Sequence, residues 1–311
     1  MVYTLDLQMV SQSPHDLSAL RKLFSVDTSK KIVVVSGAGI SRSSGIPDFR
    51  SADGIFNSFQ KRFPRLFRTG RDAFDATVFD NHSTAVAFYA MMVELKHLVD
   101  AALPTPTHTF IKKLEDQKRL LRYYTQNIDG LEQKTGLSGG KAGVSGKSVQ
   151  LHGDIHTLRC AKCSFKCPFT KEHELLMLEG ITPECSDCES RAAGRHAKGE
   201  RELSVGKLRH DIVLYSEQSP HDSDIARTAS NDMIGRPDLL LIMGTSMDVY
   251  GVKILIQDFA KAVHMSFPKA DGCGGRVIYV NRTPPSHDWD SIIDYHLMGD
   301  TDVWVKLLQD D

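Results

Sequence analysis

The segment KIVVVSGAGIS at 31–41, followed by RSSGIPDFR at 42–50, decides the fold. Residues 32–35 are consecutive β-branched positions, which is typical of a strand covered on both faces in a parallel sheet. Gly37 and Gly39 allow the backbone to turn tightly and to approach a ligand where a Cβ atom would collide. Backbone N–H groups at the start of a helix bind phosphate well. The strand and its turn therefore predict a nucleotide site.

The glycine spacing differs from that of an ordinary dinucleotide fingerprint. The third glycine is Gly45, too late for Gly-x-Gly-x-x-Gly, and no acidic residue stands about 20 residues past the turn to bind a ribose hydroxyl. A hydride-transferring dehydrogenase is therefore disfavoured. For the glycine pair taken alone, a plain strand-to-helix turn remains an alternative interpretation.

The composition is that of a globular protein with balanced charge. The 311 residues carry a formal net charge of −1 and are 41% hydrophobic. This balance gives no basic signal for nucleic acid or an anionic membrane. The first residues lack the basic start and apolar core of a signal peptide, and no apolar run reaches the ~18 residues of a membrane span. We expect an intracellular protein without direct nucleic-acid or membrane binding.

Two Cys-x-x-Cys pairs predict a structural zinc site. Cys160 and Cys163 are separated by 21 residues from Cys185 and Cys188. In a reducing compartment, four thiolates at such spacing complete a closed tetrahedron around zinc. A disulfide pair is the alternative, and Cys167 is close enough in sequence to compete as a ligand.

The order of the elements predicts an α/β fold. Apolar strands at 31–35, 120–125, 239–243 and 277–280 alternate with helical patterns at 82–102 and 107–117. This alternation indicates a doubly wound parallel sheet with the zinc module inserted in it. The predicted organisation is a helical extension at 1–29, a Rossmann-like domain at 30–157 and 209–311, and a zinc-binding module at 158–208.

Four further motifs carry a family resemblance. They are TQNIDGLE at 125–132, LHGD at 151–154, GTS at 244–246 and VNR at 280–282. Together with GAGIS, GIPDFR and the paired cysteines, they resemble the sirtuin family of NAD-dependent protein deacylases from about residue 31 to 305. The resemblance implies NAD and zinc as cofactors.

The resemblance also implies a mechanism. The acetyl oxygen of a modified lysine attacks the nicotinamide ribose, nicotinamide leaves, and the acetyl group passes to a ribose hydroxyl. His152 is then the general base, Asn127 orients the ribose or a water, and Asp129 binds the nicotinamide carboxamide. The cofactor-binding residues that the resemblance implies are Gly37, Ala38, Gly39, Ser41, Asp48, Phe49, Arg50, Gln126, Asn127, Ile128, Asp129, Gly244, Thr245, Ser246, Asn281, Arg282 and Thr301.

The predicted substrate site is an edge strand. An acetylated peptide would add as a strand against Val213, Leu214, Tyr215, Ser216 and Glu217. The segment departs from the commonest sirtuin pattern because a serine replaces the glycine at position 216. In this respect it looks like the fungal Hst branch, which implies a core histone as partner and a nuclear location.

Three functions are weighed. The leading one is an NAD-dependent protein-lysine deacetylase. A second keeps the cofactor but removes a longer acyl chain or transfers a single ADP-ribose. A third, of another class, is a non-catalytic NAD-sensing chromatin adaptor, and the presence of Asn127, Asp129 and His152 together argues against it.

Overall fold

The computed structural model describes residues 2–10, 13, 18, 31–51, 53–139, 146–201, 203–266 and 276–308. The amphipathic helix that the sequence predicts around Leu17 to Phe24 lies outside the described residues, apart from residue 18. Among the helices of these ranges, none combines the length and the apolar character that crossing a membrane requires.

Within the described ranges, ten strands form two sheets. In chain order they are β1 Tyr3–Asp6, β2 Ile32–Ser36, β3 Leu120–Thr125, β4 Ser148–Gln150, β5 Gly153–Cys160, β6 Lys166–Pro168, β7 Leu208–Ile212, β8 Leu239–Met243, β9 Arg276–Asn281 and β10 Tyr295–Met298. The larger sheet is parallel, with strand order β1-β10-β9-β8-β2-β3-β4. The smaller sheet is antiparallel, in the order β6-β5-β7.

Helices cover both faces of the larger sheet. The α-helices are α1 Leu7–Val10, α2 Ile55–Arg62, α3 His82–Ala101, α4 Pro106–Asp116, α5 Leu131–Lys134, α6 Lys171–Leu178, α7 Ser186–His196, α8 Asp222–Ile234, α9 Tyr250–Ser266 and α10 Thr301–Leu307. Short 3-10 turns span Ala38–Ser44, Asp72–Phe74, Ala76–Phe79 and His287–Trp289.

The central strands are buried from both sides. All five residues of β2 and of β8 are buried. Phe110 of α4 and Trp304 of α10 pack on one face of the sheet, and Ile256 and Phe259 of α9 pack on the other. This double covering explains the continuous apolar runs of these strands, and it confirms the predicted doubly wound fold.

A third hydrophobic cluster joins the zinc module to the segment after the glycine-rich turn. It combines Phe59 and Phe74 with Leu158, Met177 and Leu208, and α3 packs against α6. Residues 46–102 thus share a core with the module that the sequence places at 158–208. The predicted domain boundaries stay a prediction.

Two elements differ from the sequence expectation. Residues 3–6, assigned to a helical extension, form β1 and pair in parallel with β10 at the sheet edge. Residues 213–217, predicted as an edge strand, follow a strand and are not part of it, because β7 ends at Ile212 and pairs with β5 in the small sheet. Both segments are short or mixed in polarity, so their pairing depends on distant partners.

Candidate active site

A cleft of about 440 Å³ opens at the carboxyl ends of the parallel strands. This is where open α/β sheets bind ligands. The cleft brings together most of the residues predicted from the sequence, namely Gly37, Ala38, Gly39, Asp48, Phe49, Arg50, Gln126, Asn127, Ile128, His152, Val213, Leu214, Tyr215, Gly244, Thr245, Ser246, Asn281, Arg282 and Thr301.

Four predicted site residues lie outside the lining of the cleft. Ser41 and Asp129 are buried behind its wall, whereas Ser216 and Glu217 make contacts elsewhere in the chain. The sequence analysis also missed several lining residues, which are Arg42, Ser51, Phe56, Phe74, Val249 and Thr283. Arg42 carried a signal, because a cation within a glycine-rich phosphate loop is a candidate ligand by position.

Gly37 and Gly39 are required by the packing of two loops. A Cβ atom on Gly37 would lie 2.8 Å from the Cβ of Thr245, and one on Gly39 would lie 2.7 Å from the Cα of Gly244. The N–H of Gly39 donates to the carbonyl of Gly244 at 2.8 Å. The glycines therefore let the turn after β2 dock on the turn after β8, which brings the two rims of the cleft together.

Asp48 closes the loop that follows the turn. It pairs with Arg42, and its Oδ1 accepts a hydrogen bond from the Ser51 N–H at 2.8 Å. Burial alone would raise the pKa of Asp48, but the bonds from Ser51 and Arg42 outweigh burial and lower it below its ordinary value. The Asp48 carboxylate therefore stays charged, and its bonds to Arg42 and Ser51 fix the conformation of the loop.

Arg50 and Phe49 face the cleft from the same loop. Arg50 pairs with Asp248, and its guanidinium lies 3.2 Å from Ser246 Oγ. Because the Asp248 side chain is 60% exposed, the ion pair is weak, and Arg50 can leave Asp248 to bind an anion in the cleft. Phe49 packs edge-to-face on Phe74, with ring centroids 5.4 Å apart, and forms an apolar wall.

A hydrogen-bonded chain runs behind the end of β3. Asn127 Nδ2 donates to Ser41 Oγ at 3.1 Å, and Ser41 Oγ donates to Asp129 Oδ2 at 2.7 Å. The N–H of Leu131 donates to the other oxygen of Asp129 at 3.0 Å. Nearby, Gln126 Nε2 donates to Thr245 Oγ1 at 2.8 Å. Asn127, at the cleft surface, is thereby held by groups beneath it.

The tautomer of His152 follows from its backbone partner. Its Nδ1 lies 3.0 Å from the carbonyl oxygen of Gln126, and a carbonyl can only accept, so Nδ1 carries the proton. Nε2 is then an unprotonated base in a residue that lines the cleft. Burial lowers the pKa of His152, although the Gln126 bond partly opposes the shift. The imidazole is thus neutral near pH 7.

The far rim of the cleft comes from the last two strands. Asn281 lines the cleft, and its Nδ2 donates to the Tyr279 hydroxyl at 2.7 Å. Arg282 Nε donates to Asp300 at 2.5 Å. Thr301 is buried, and its hydroxyl accepts from Thr107 at 2.9 Å, so the side chain is already engaged within the protein.

The four predicted cysteines converge on one point. Sγ of Cys163 lies 3.7 Å from that of Cys185 and 3.6 Å from that of Cys188, and Sγ of Cys160 lies 3.8 Å from that of Cys188. A tetrahedron with Zn–S bonds of about 2.3 Å has edges of roughly 3.8 Å. The donor set fits zinc, and the fourth position is closed to water. Cys167 is outside the cluster.

Gly206 seals the zinc site, a role the sequence analysis missed. A Cβ atom on Gly206 would collide with Sγ of Cys160 and would lie 3.4 Å from Sγ of Cys188. The N–H of Cys185 donates to the carbonyl of Gly206 at 2.9 Å. The strand returning from the module therefore passes directly over the thiolates.

The predicted substrate segment is anchored by its own backbone. The N–H of Val213 donates to His152 O at 3.0 Å, and that of Tyr215 donates to Phe74 O at 2.8 Å. The N–H of Leu214 donates to Glu217, whose carboxylate also pairs with Arg209. An added peptide strand would therefore have to donate its own N–H groups to carbonyl oxygens of this segment.

Fold, cleft and cysteine cluster define a nucleotide-binding α/β protein with a structural zinc module. The Sir2 family model matches residues 37–251, and the chain belongs to this family. It is 38% identical to the NAD-dependent histone deacetylase HST3 of Candida albicans, with 91% of this chain and 60% of the relative covered. It is 35% identical to the NAD-dependent protein deacetylase hst4 of Schizosaccharomyces pombe, with 94% and 68% covered.

The chain spans about two thirds of the length of these curated relatives or less. HST3 of Saccharomyces cerevisiae, 40% identical, is covered over 65% of its length. Among solved structures, one described as giving the structural basis for the mechanism and regulation of Sir2 enzymes matches with a TM-score of 0.65 and 26% identity, over 94% of this chain and 97% of that one. A Sir2 mutant bound to a p53 peptide and NAD matches with a TM-score of 0.65 and 25% identity, over 93% and 95%.

Proposed function

We propose that the chain is an NAD-dependent protein-lysine deacetylase that acts on acetylated histone lysines in the nucleus and yields nicotinamide and O-acetyl-ADP-ribose. The observation that carries the proposal is the state of His152. Its Nδ1 is tied to Gln126 and its Nε2 is a free base lining the cleft, as a general base near neutral pH requires.

The cleft suits a dinucleotide. Arg42, Arg50 and Arg282 line it, and guanidinium groups bind phosphate oxygens in a fixed, bidentate geometry. Asn127 and Asn281 add polar groups for ribose hydroxyls, and Phe49 adds an apolar wall for a ring. When bound, NAD would supply an activated ribose carbon for attack by the acetyl oxygen, nicotinamide as the leaving group, and a ribose hydroxyl that receives the acetyl group.

The side chains of the protein itself then accept a proton and orient the reacting groups. His152 Nε2 accepts a proton from a hydroxyl that approaches it in the cleft, and the Gln126 carbonyl holds the imidazole in place. Asn127, held by its hydrogen bond to Ser41, orients the reacting groups next to it in the cleft. The four thiolates would fill all four coordination positions of the zinc ion. The metal would then have no open position at which to act on a substrate.

The substrate proposal rests on the peptide segment and on the relatives. Val213, Leu214 and Tyr215 line the cleft beside His152, so an acetyl-lysine on an added strand would point into it. The relatives named as histone deacetylases support a histone substrate and nuclear action.

The experiment is to incubate the chain with NAD and an acetylated histone tail or core peptide, and to measure nicotinamide and peptide mass together. We expect nicotinamide and deacetylated peptide in equal amounts. Faster loss of a longer acyl group would favour the deacylase. A gain in protein mass by one ADP-ribose unit would favour the transferase, and NAD binding without nicotinamide release would favour the adaptor.

A further inference from the structure

Three buried titratable side chains lie together behind the wall of the cleft. They are His108 of α4, Asp129 after β3, and Glu132 of α5, each at most 4% exposed. One ligand atom from each lies within 4.8 Å of the others. The proposed mechanism gives no part to His108 or Glu132.

The tautomer of His108 argues against a metal ion at this cluster. The backbone N–H of Thr105 donates to His108 Nδ1 at 3.2 Å, within the capping box that starts α4. Nδ1 therefore accepts, and the neutral ring carries its proton on Nε2. Nε2 lacks a hydrogen-bond partner among the described residues. A protonated Nε2 is a donor and is unable to ligate a cation.

The two carboxyl groups of the cluster differ in their hydrogen bonds, which Asp129 accepts at both oxygens and Glu132 does not. Both oxygens of Asp129 accept hydrogen bonds, one from Ser41 and one from the N–H of Leu131. Both oxygens of Glu132 are buried and lack a hydrogen bond of normal geometry in the part of the chain that the structure describes. Its own backbone N–H and the Gln133 side chain lie near enough to lower its pKa, but burial outweighs them. A buried carboxylate without donors is strongly disfavoured, whereas a protonated carboxyl group is tolerated. Glu132 is thus the group that keeps a proton.

The surroundings of the cluster are acidic. The charge on Asp154 acts on Glu132, and the charge on Asp302 acts on His108. Burial first, and then the carboxyl groups of Glu132 and Asp129, raise the pKa of Tyr123, so this neighbouring group stays neutral. Burial, followed by the charge on Asp129, raises the pKa of Glu132 to about 8. Burial also lowers the pKa of His108, so the imidazole does not supply a compensating positive charge.

We propose that Glu132 is a positioning residue that stays a neutral acid, and that its neutrality lets Asp129 keep the geometry that orients Ser41 and Asn127. An ionised Glu132 would place a second negative charge within 4.8 Å of the Asp129 carboxylate. The repulsion would displace Asp129 from Ser41, and the hydrogen-bonded chain to the cleft would be lost. This inference rests on the proposed function in one respect, the effect of Glu132 on the kinetics with NAD.

The first test measures proton linkage and requires no catalytic activity. Glutamine has the shape of a protonated glutamate but cannot ionise, so Glu132→Gln is the variant. Between pH 6 and 8 the folded wild-type chain keeps a proton on Glu132 that the unfolded chain has released, so wild-type stability falls as pH rises. We expect the wild-type unfolding constant to rise about tenfold per pH unit relative to that of Glu132→Gln, and the ratio to level off above about pH 8.

Glu179→Gln is the matched control. Glu179 is exposed at the end of α6, so the same substitution there removes a carboxyl group that is not buried. Its ratio to wild type should be flat. A flat ratio for Glu132→Gln as well would overturn the proposal. A second equivalent of bound divalent metal that disappears in Glu132→Gln would also overturn it.

The second test is kinetic. Glu132→Gln should keep the wild-type KM for NAD at pH 7, since the neutral amide replaces the neutral acid, and unlike the wild type it should keep that KM above about pH 8, where Glu132 ionises. A KM raised roughly tenfold in Glu132→Gln with a normal melting curve, or an equal rise above pH 8 in both proteins, would contradict a neutral Glu132. If neither wild type nor variant releases nicotinamide but the pH linkage is present, the proposed function fails and the neutral Glu132 stands.

Discussion

The Nδ1 atom of His152 lies 3.0 Å from the carbonyl oxygen of Gln126, and this contact fixes which nitrogen of the ring is basic. Gln126 is itself held by Ser36 and Thr245, at the ends of the neighbouring strands β2 and β8. The general base proposed here is therefore oriented by the sheet and not by a flexible loop. This is the arrangement in which a single histidine can act without a partnering acid.

Replacing His152 by alanine should lower deacetylation by roughly 10²–10⁴-fold, the usual worth of a positioned general base. Nicotinamide exchange should fall less, because the base acts after the ribose bond begins to break. Peptide deacetylation, exchange and melting temperature are measured on one preparation. A stable, NAD-binding mutant with near wild-type deacetylation would refute the catalytic role.

The pH dependence of the wild-type rate gives a related prediction. Burial lowers the pKa of His152 below its ordinary value of about 6.5, so the base form persists into weak acid. The acidic limb of kcat/KM should therefore have its midpoint below about pH 6.5. A midpoint above pH 7 would mean that another group, or a charged imidazole, controls the reaction.

Gly206→Ala should abolish the zinc site even though every ligand is retained. The new methyl group collides with Sγ of Cys160, and loss of a structural metal destabilises by about 3 kcal/mol or more. Gly194→Ala in α7 is the control, since a Cβ there meets nothing within 4 Å and should be neutral or stabilising by up to about 1 kcal/mol. Metal content and a thermal melt decide; full zinc occupancy in Gly206→Ala would contradict the geometry.

Asn127→Ala and Asp129→Ala should impair the cofactor chemistry differently. Asn127 lines the cleft, and its loss should lower kcat by roughly 10²-fold through misplacement of the reacting groups. Loss of Asp129 should mainly raise the KM for NAD and weaken inhibition by nicotinamide. Since Ser41 bonds to both, Ser41→Ala should show part of each defect. Small, equal effects in all three variants would count against the assignment.

Ser216 is strained where the commonest sirtuin pattern has glycine. Its φ is 63°, a left-handed conformation that costs a residue with a Cβ about 1–2 kcal/mol. Its hydroxyl donates to Asp75 at 2.5 Å, and this bond offsets part of the strain. We expect Ser216→Ala to lose about 1 kcal/mol of stability and Ser216→Gly to lose less or to gain. Denaturant melts check this, and a larger loss for glycine than for alanine would show that the backbone is unstrained.

The buried parallel strands were the elements most readily predicted from sequence. Strands β3 and β8 were predicted with the bounds that the structure has. Strand β8 is covered on both faces and is apolar at every position, and β3 is mostly apolar or aromatic although it contains Arg122. Strand β1 was missed, since four residues at a sheet edge carry little pattern and its pairing with β10 lies almost 300 residues away in sequence.

The site was predicted where a motif marks it and missed where tertiary contacts make it. The zinc ligands and His152 follow from local spacing or from the family motifs. Gly206 and Arg42 act through neighbours that the sequence does not name, which are the zinc thiolates and Asp48. The roles of His108 and Glu132 depend on which buried atoms lack partners, and only coordinates contain that information.

The fate of the acetyl group tests the central claim most directly. Wild-type chain is incubated with NAD and a peptide whose acetyl-lysine carries a labelled acetyl group, and the small-molecule products are identified by mass. The account predicts that the label appears on ADP-ribose as O-acetyl-ADP-ribose, in an amount equal to the nicotinamide released. Labelled free acetate formed while NAD stays intact would contradict it.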